Sequence, residues 1–227
     1  MKSHLLGAVC ISALACFLST AANASVLAIE FSGVISDDIG PIYEGVASTF
    51  SVGDSFSGRY VYDTELAGIP VSQAPNTTVY NGFTELSVEI NGLRYTTDTA
   101  HAEICNDCNL GTVDSVNIRS GIFNGVNNPF LSGPDVNGHS LIDLALTFWD
   151  DTATALENTD LVNVAPIFDS FSNKDVTFTF YNPDISRGGG FWGTINSISY
   201  SVVPIPPVIY LFGSGLIGLV GVIRRRA

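Results

Sequence analysis

The chain has 227 residues, of which 46% are hydrophobic and 14% charged, and its formal net charge is −13. All 22 acidic residues lie between Glu30 and Asp184, and residues 25–203 carry only five Lys or Arg, which gives this segment a net charge of −17. This charge excludes nucleic acid and anionic lipid headgroups as partners, because the attraction to phosphate that drives such binding has the wrong sign.

The N-terminus has the pattern of an export signal. A positive charge at Lys2 precedes an uncharged apolar run over residues 5–18, and a small-x-small pattern ending at Ala24 stands before Ser25. This order predicts a signal peptide, residues 1–24, that is recognised by the Sec export machinery and cleaved between Ala24 and Ser25. The alternative is an uncleaved anchor, for which the apolar run is short of the roughly 20 residues that a span requires.

Residues 25–202 have the period-two hydrophobicity of β-strands. Asn91-Gly92 between two alternating runs is the strongest short-range signal for a hairpin, since both turn residues must adopt positive φ. The pattern predicts one all-β domain, an antiparallel β-sandwich or jelly-roll-like fold. The best candidate for a short helix is 151–164. The alternating sets are Leu27/Ile29/Phe31, Phe56/Tyr60/Tyr62, Leu86/Val88/Ile90, Ile142/Leu144/Leu146/Phe148, Val176/Phe178/Phe180 and Ile198/Tyr200/Val202.

Two cysteines remain once the signal peptide is removed. Cys105 and Cys108 flank Asn-Asp, a turn-forming pair, and in an exported protein this spacing favours a disulfide that staples a loop. One alternative is a zinc site that also uses His101 and His139, because a Cys-x2-Cys pair with two histidines supplies suitable ligands. A thioredoxin-like redox pair is the other alternative, although no βαβ pattern surrounds the motif.

Trp149 and Trp192 are candidates for stacking on sugar rings. Asp143, Asp150 and Asp151 lie near Trp149 in the sequence, and paired carboxylates are the groups that hydrolyse glycosides. A sugar-binding surface without cleavage requires only the aromatic side chains and hydrogen-bonding neighbours. The sequence therefore favours sugar binding over hydrolysis, and predicts no catalytic residue.

Two further motifs have weaker chemical interpretations. Gly53-Asp54-Ser55 is similar to the nucleophile block of one esterase group, with His139 as its candidate base, but it is also typical of a turn before a strand. Asp150-Asp151, or Asp135 with Asn137, offers hard oxygen ligands for Ca²⁺. No cofactor is predicted, and Ca²⁺ is the one ion that these residues would suit.

The C-terminus has the pattern of a membrane tail. Residues 203–207 are rich in proline, which stops a strand, and the predicted membrane helix of 207–223 carries no charge. Sixteen of its residues would span about 24 Å, slightly less than a hydrocarbon core. The chain then carries Arg224, Arg225 and Arg226, which predict a cytoplasmic end and a domain outside the membrane. Gly213 and Gly215 would allow close approach by another helix.

Residues 203–227 resemble the PEP-CTERM sorting signal in its V-P-x-P form. The matching string is VPIPPVIYLFGSGLIGLVGVIRRRA, with Val203, Pro204 and Pro206 at its start. Ile205 stands where the family name has Glu, and Tyr210 stands where the commoner form has Trp. The resemblance implies export in a Gram-negative bacterium that makes extracellular polysaccharide. It also implies that an exosortase, a membrane-embedded transpeptidase-like enzyme, is the partner of the tail.

Together these patterns predict a non-enzymatic exported protein associated with extracellular polysaccharide or biofilm. It would be held transiently in the cytoplasmic membrane by its C-terminal helix, and then sorted by an exosortase to the cell surface or the matrix. The alternative functions are a carbohydrate-binding module of that matrix and a secreted hydrolase.

Overall fold

A computed structural model describes residues 26–39, 44–63, 70–81, 83–120, 122–123, 126–127, 131–160, 165–185 and 187–203. Its strands are β1 (Val26–Ile39), β2 (Ser55–Asp63), β3 (Pro70–Ala74), β4 (Thr77–Asn81), β5 (Phe83–Ile90), β6 (Leu93–Thr97), β7 (His101–Asp107), β8 (Val113–Arg119), β9 (Ile122–Phe123), β10 (Val126–Asn127), β11 (Ser140–Asp150), β12 (Asn173–Asn182) and β13 (Arg187–Val203). The described helices are short: α1 (Glu44–Ala47), α2 (Cys108–Gly111) and a 3-10 helix (Ala165–Ser170).

Eleven of these strands form one antiparallel sheet, which confirms the all-β, antiparallel prediction. Their order is β3-β4-β7-β8-β11-β12-β13-β1-β2-β5-β6. The Tyr95 ring of β6 lies 6.0 Å from the Phe180 ring of β12, although five strand-to-strand steps separate them. In a flat sheet those steps would span roughly 24 Å, so the sheet folds over and its inner face encloses the core. That core is aromatic, with Phe50, Phe148 and Phe178 fully buried within it.

The predicted hairpin joins β5 to β6. Asn91 and Gly92 have φ of 51° and 77°, the positive values that a tight two-residue turn requires, and Ile90 pairs with Leu93 across it. Asn91 also donates from its side chain to the Asp54 carboxylate at 2.7 Å. Asp54 therefore belongs to a turn before β2, as the turn interpretation of Gly53-Asp54-Ser55 predicts.

Burial follows the predicted alternation on β12 and, with one shift, on β11. Leu144, Leu146 and Phe148 are buried, but a bulge between Leu141 and Asp143 turns Leu141 inward and leaves Ile142 only partly buried. The helix predicted for 151–164 is wrong over 151–160, which form turns and bends, and 161–164 lie outside the described residues. The physical reason is local: Asp150 accepts hydrogen bonds from Thr152 and Thr154, which favours turns over a helix.

The last strand departs from its predicted half-buried pattern. Ile198 is partly buried, but Tyr200 and Val202 are 55% and 60% exposed. They lie on the inner face of the sheet, opposite Ile29 and Leu27 of β1. The sheet layer that covers the core does not reach them, so apolar alternation alone overestimates their burial.

The predictions for the two ends of the chain fall outside the described residues. These are the signal peptide of residues 1–24 with cleavage after Ala24, the helix of 207–223 with Gly213 and Gly215, and the arginines 224–226. Over the parts of the chain that the structure does describe, no helix is both long enough and apolar enough to cross a membrane.

Candidate functional site

The two tryptophans predicted to stack on sugars lie on the same outer face of the sheet. Trp149 is on β11 and Trp192 on β13, and their side chains are 42% and 53% exposed. Strand β12 runs between them: Trp149 pairs with Asn173, and Trp192 pairs with Thr177. Since directly paired residues share a face, both indole rings project to solvent from one surface.

Asp175 lies midway between the two tryptophans. It is two residues from Asn173 and two from Thr177, so it is the diagonal neighbour of both Trp149 and Trp192. Diagonal neighbours lie about 7–8 Å apart, which places the two tryptophans roughly 15 Å from each other along one line. We call Trp149, Asp175 and Trp192 the tryptophan strip.

Hydroxyl groups flank the middle of the tryptophan strip. Thr147 and Thr194 lie directly opposite Asp175 on the neighbouring strands. Each hydroxyl both donates and accepts hydrogen bonds, and an ionised carboxylate accepts several. Burial raises the pKa of Asp175 above its ordinary value of 3.8. The strip therefore combines two flat apolar rings with a polar centre.

Both tryptophans rest on a rigid base. The residue before each one, Phe148 or Phe191, points inward and is fully buried. Ser172 donates a hydrogen bond to the Trp149 carbonyl at 3.2 Å, and Ser36 donates to the Trp192 carbonyl at 3.4 Å. Because a buried phenylalanine and a hydrogen bond fix the backbone at each tryptophan, the two rings project from defined positions, as a preformed binding surface requires.

The Cys105 and Cys108 sulfurs lie at bonding distance with Cα atoms 5.8 Å apart, consistent with the predicted disulfide. The turn between them, where Asp107 has φ of 56°, is held to the turn between β3 and β4 by Asn76, whose amide donates to the Asp107 carbonyl at 3.0 Å. The pair closes a loop at the end of β7, where a loop-stapling disulfide is predicted from the sequence.

The residues proposed as zinc ligands do not lie together in the structure. His101 is buried on β7, and burial, followed by the charge of Arg119, lowers its pKa to about 4. His139 closes a separate turn, with Nδ1 3.2 Å from the Asn137 carbonyl. Within the described part of the chain, no three His, Cys, Asp or Glu residues are grouped to hold a metal ion. Cysteines bonded to each other also leave no thiolate for zinc.

The carboxylates considered for glycoside hydrolysis are not paired. Asp143 forms an ion pair with Arg119, and burial raises its pKa while Arg119 opposes that rise. Asp150 lies seven residues further along β11 on the inner face, where hydrogen bonds from Thr154 and then Thr152 lower its pKa. Seven residues of strand span about 23 Å, too far for an acid and a nucleophile to act on one bond. Asp151 follows in an exposed turn.

The calcium candidates have partners within the protein. Asp135 accepts a hydrogen bond from the Ser140 hydroxyl at 2.6 Å, and the Asn137 amide donates to the Gly45 carbonyl at 2.6 Å. Asp150 is engaged by its threonines, as described above. Each candidate pair therefore stabilises a turn.

A groove of about 510 Å³ lies on the outer face of the other half of the sheet. Its walls include Glu85, Arg59 and Arg94, together with hydroxyls such as Ser87 and Ser199. Glu85 accepts from Arg59 at 3.1 Å and lies 3.6 Å from Arg94, so both arginines are already engaged. The groove offers polar contacts but no free cation among these residues.

Sequence reasoning found both tryptophans but missed Asp175. Asp175 lies on the same face of β12 as Thr177 and Thr179, which alternate with buried apolar residues, so the sequence places it on the outer face. Its position between the tryptophans, however, depends on strand order. No family model matches the chain, and no curated protein or solved structure is significantly similar to it.

Proposed function

We propose that this chain is an exported, non-enzymatic protein of the bacterial surface or extracellular matrix, and that its tryptophan strip binds matrix polysaccharide. The observation that supports this function most directly is the alignment of Trp149, Asp175 and Trp192 on one exposed sheet face. Indole rings stack on the apolar faces of sugars, while a carboxylate and threonine hydroxyls hydrogen-bond to sugar hydroxyls.

The spacing of the tryptophan strip favours a polymer over a single sugar. Two rings roughly 15 Å apart cannot both contact one monosaccharide, but both can contact one extended chain. The charge of the domain disfavours strongly acidic polymers, since like charges repel. A neutral or amino-bearing polysaccharide is therefore the preferred ligand.

A protein partner fits this surface less well. The fully buried centre of a protein interface is depleted in charged residues. Here the two exposed aromatic rings are separated by Asp175 and bordered by Thr147 and Thr194. Such alternation of rings and polar groups matches the alternating faces and hydroxyls of a sugar chain.

The two chain ends support the proposed location. A signal peptide ending at Ala24 would export the domain, and the PEP-CTERM-like tail of 203–227 would present it to an exosortase in the cytoplasmic membrane. The Cys105–Cys108 pair suits an oxidising compartment. The folded-over sheet supports a sandwich-type domain outside the membrane.

Polysaccharide binding is tested with the full chain and the exopolysaccharide of the producing cells. We expect Trp149→Ala and Trp192→Ala each to weaken binding about tenfold, the effect of losing about 1.4 kcal/mol. Val71→Ala and Ile185→Ala are matched controls, because these side chains are 51% and 50% exposed, on the edge strand β3 and on the turn that follows β12, respectively. Equal binding by all four variants would refute the proposed site.

The sorting proposal is tested by intact-mass analysis of material released from cells with an active exosortase. We expect the mature protein to lack residues 1–24 and the segment that follows the Pro204 region. Retention of the complete tail under these conditions would contradict sorting by an exosortase.

A further inference from the structure

The C-terminal part of β13 has one open side. Residues 190–194 pair with β12 on one side and with β1 on the other, and residues 187–189 pair only with β12 among the described strands. Residues 195–203 pair only with β1 among the described strands, and the 3-10 helix also contacts β13. Five of the seven side chains in 197–203 are exposed, including Tyr200 and Val202. We call residues 197–203 the terminal edge.

The terminal edge lacks the features that normally protect an exposed strand. Its sequence, SISYSVV, has no charge, no proline and no glycine, and four of its seven residues are β-branched or aromatic. The two outermost strands of the sheet differ. Strand β3 begins with Pro70, and β6 is bonded to the backbone of Ser132 through Thr96, at 2.7 and 2.8 Å.

Charge and pattern identify a second copy of the chain as the partner. The domain is strongly acidic, so two copies repel each other over most of their surface, but the terminal edge is uncharged. The nearest charge in register is Glu30, opposite Ser199 on β1. Serine and apolar residues alternate from Ser197 to Val202, so antiparallel self-pairing about Tyr200 places Ser199 against Ser201 and apolar side chains against each other, and only the outermost pair, Ser197 with Val203, is mixed.

We propose that two copies pair antiparallel through their terminal edges, with Tyr200 opposite Tyr200 of the second copy. Tyr200 is the middle of the seven residues, so this register pairs all of them. It places Ile198 opposite Val202 and Ser199 opposite Ser201. The outer faces of the two sheets then lie on the same side, and the dimer presents two tryptophan strips that can bind one polymer with increased avidity.

Disulfide trapping of the full chain tests both the contact and its register. Tyr200→Cys should form a cross-linked dimer under mild oxidation, because the two thiols face each other. Val202→Cys is the register control: its two copies would be about four residues, or 13 Å, apart along the strands. Cysteines whose Cα atoms are more than about 7 Å apart cannot be bridged. Val52→Cys and the unsubstituted chain measure background from the native cysteines.

A second pair of variants keeps the Tyr200 ring and so tests the contact even if removal of that ring prevents pairing. Chains with Ser199→Cys and Ser201→Cys, carrying different tags and mixed, should cross-link to each other more than either does to itself. The proposal is overturned if neither experiment exceeds background, or if Val202→Cys cross-links as efficiently as Tyr200→Cys. A product containing a different protein would also overturn it. These outcomes are independent of polysaccharide binding.

Discussion

The two halves of β13 belong to one strand but differ in almost every physical respect. Residues 190–194 are paired with strands on both sides and carry glycines where the strands pack most closely. A Cβ at Gly190 would lie 2.1 Å from the Phe178 carbonyl oxygen. Among the described strands, residues 195–203 are bonded to β1 alone, and their apolar side chains Tyr200 and Val202 are exposed.

This contrast separates two uses of exposed aromatic residues. Trp192 projects from a strand that is fixed on both sides, so its ring has a defined position for a ligand. Tyr200 projects from a segment that pairs with only one of the described strands, as the edge strand of a sheet does. The first half therefore suits the binding of individual sugar units of a polymer, and the second suits strand pairing.

The largest difference between the halves should appear in stability. Phe191→Ala removes a fully buried ring that packs against Phe50 at 5.8 Å and Phe180 at 6.3 Å. We expect the free energy of unfolding to fall by about 3–5 kcal/mol, as for other Phe→Ala changes in cores. Tyr200→Ala, measured at a concentration where the chain is monomeric, should change it by less than about 0.5 kcal/mol. Urea unfolding measures both, and similar losses would remove the contrast.

Polysaccharide binding should also depend on the first half of β13 and not on the second. Trp192→Ala should weaken binding about tenfold to a short oligosaccharide, whereas Tyr200→Ala should leave that affinity unchanged. Isothermal titration calorimetry checks the comparison, and short ligands avoid any contribution from avidity. A loss caused by Tyr200→Ala would show that the ligand extends onto the terminal edge.

A smaller effect concerns pH. Burial raises the pKa of Asp175 above 3.8, so folding favours its protonated form, and the stability from that form is lost as pH rises through the folded pKa. Ionised Asp175 accepts more hydrogen bonds from a sugar chain, so binding should strengthen over the same pH range. Asp175→Asn should abolish this pH dependence of binding and should make the fall in stability shallower, because Asp143, Asp150 and His101 also have shifted pKa values and still contribute to the stability profile. Persistence of that dependence in the variant would assign it to another group.

The smallest expected effect is the response of the terminal edge to salt and pH. Residues 195–203 contain no ionisable group except the Tyr200 phenol, so the contact has no ion pair for salt to weaken. Cross-linking of Tyr200→Cys should therefore be no lower at high salt, where repulsion between the two acidic domains is screened, than at low salt. Dimer yield is measured on non-reducing gels with the thiolate fraction held constant. A loss of cross-linking at high salt would indicate that ion pairs involving neighbouring charges, such as Glu30, govern the contact.

The all-β class, the Asn91-Gly92 hairpin and the inward faces of β11 and β12 follow from residue order, because period-two patterning and turn chemistry are local. The bulge between Leu141 and Asp143 cannot be predicted in the same way, because a strand with or without the bulge buries a similar set of apolar side chains. The exposure of Tyr200 and Val202 depends on how far the opposing layer extends. The tryptophan strip needs strand order: β11, β12 and β13 must be neighbours before Trp149, Asp175 and Trp192 align.

The dependence of affinity on ligand length tests the central claim most directly. Oligosaccharides of increasing length, cut from the polysaccharide of the producing cells, are titrated against the full chain and the Trp149→Ala, Trp192→Ala and double variants. The tryptophan strip predicts a step in affinity at the length that spans both rings, roughly 15 Å. Either single substitution should remove that step. A smooth rise in affinity that survives both substitutions would contradict the proposed binding surface.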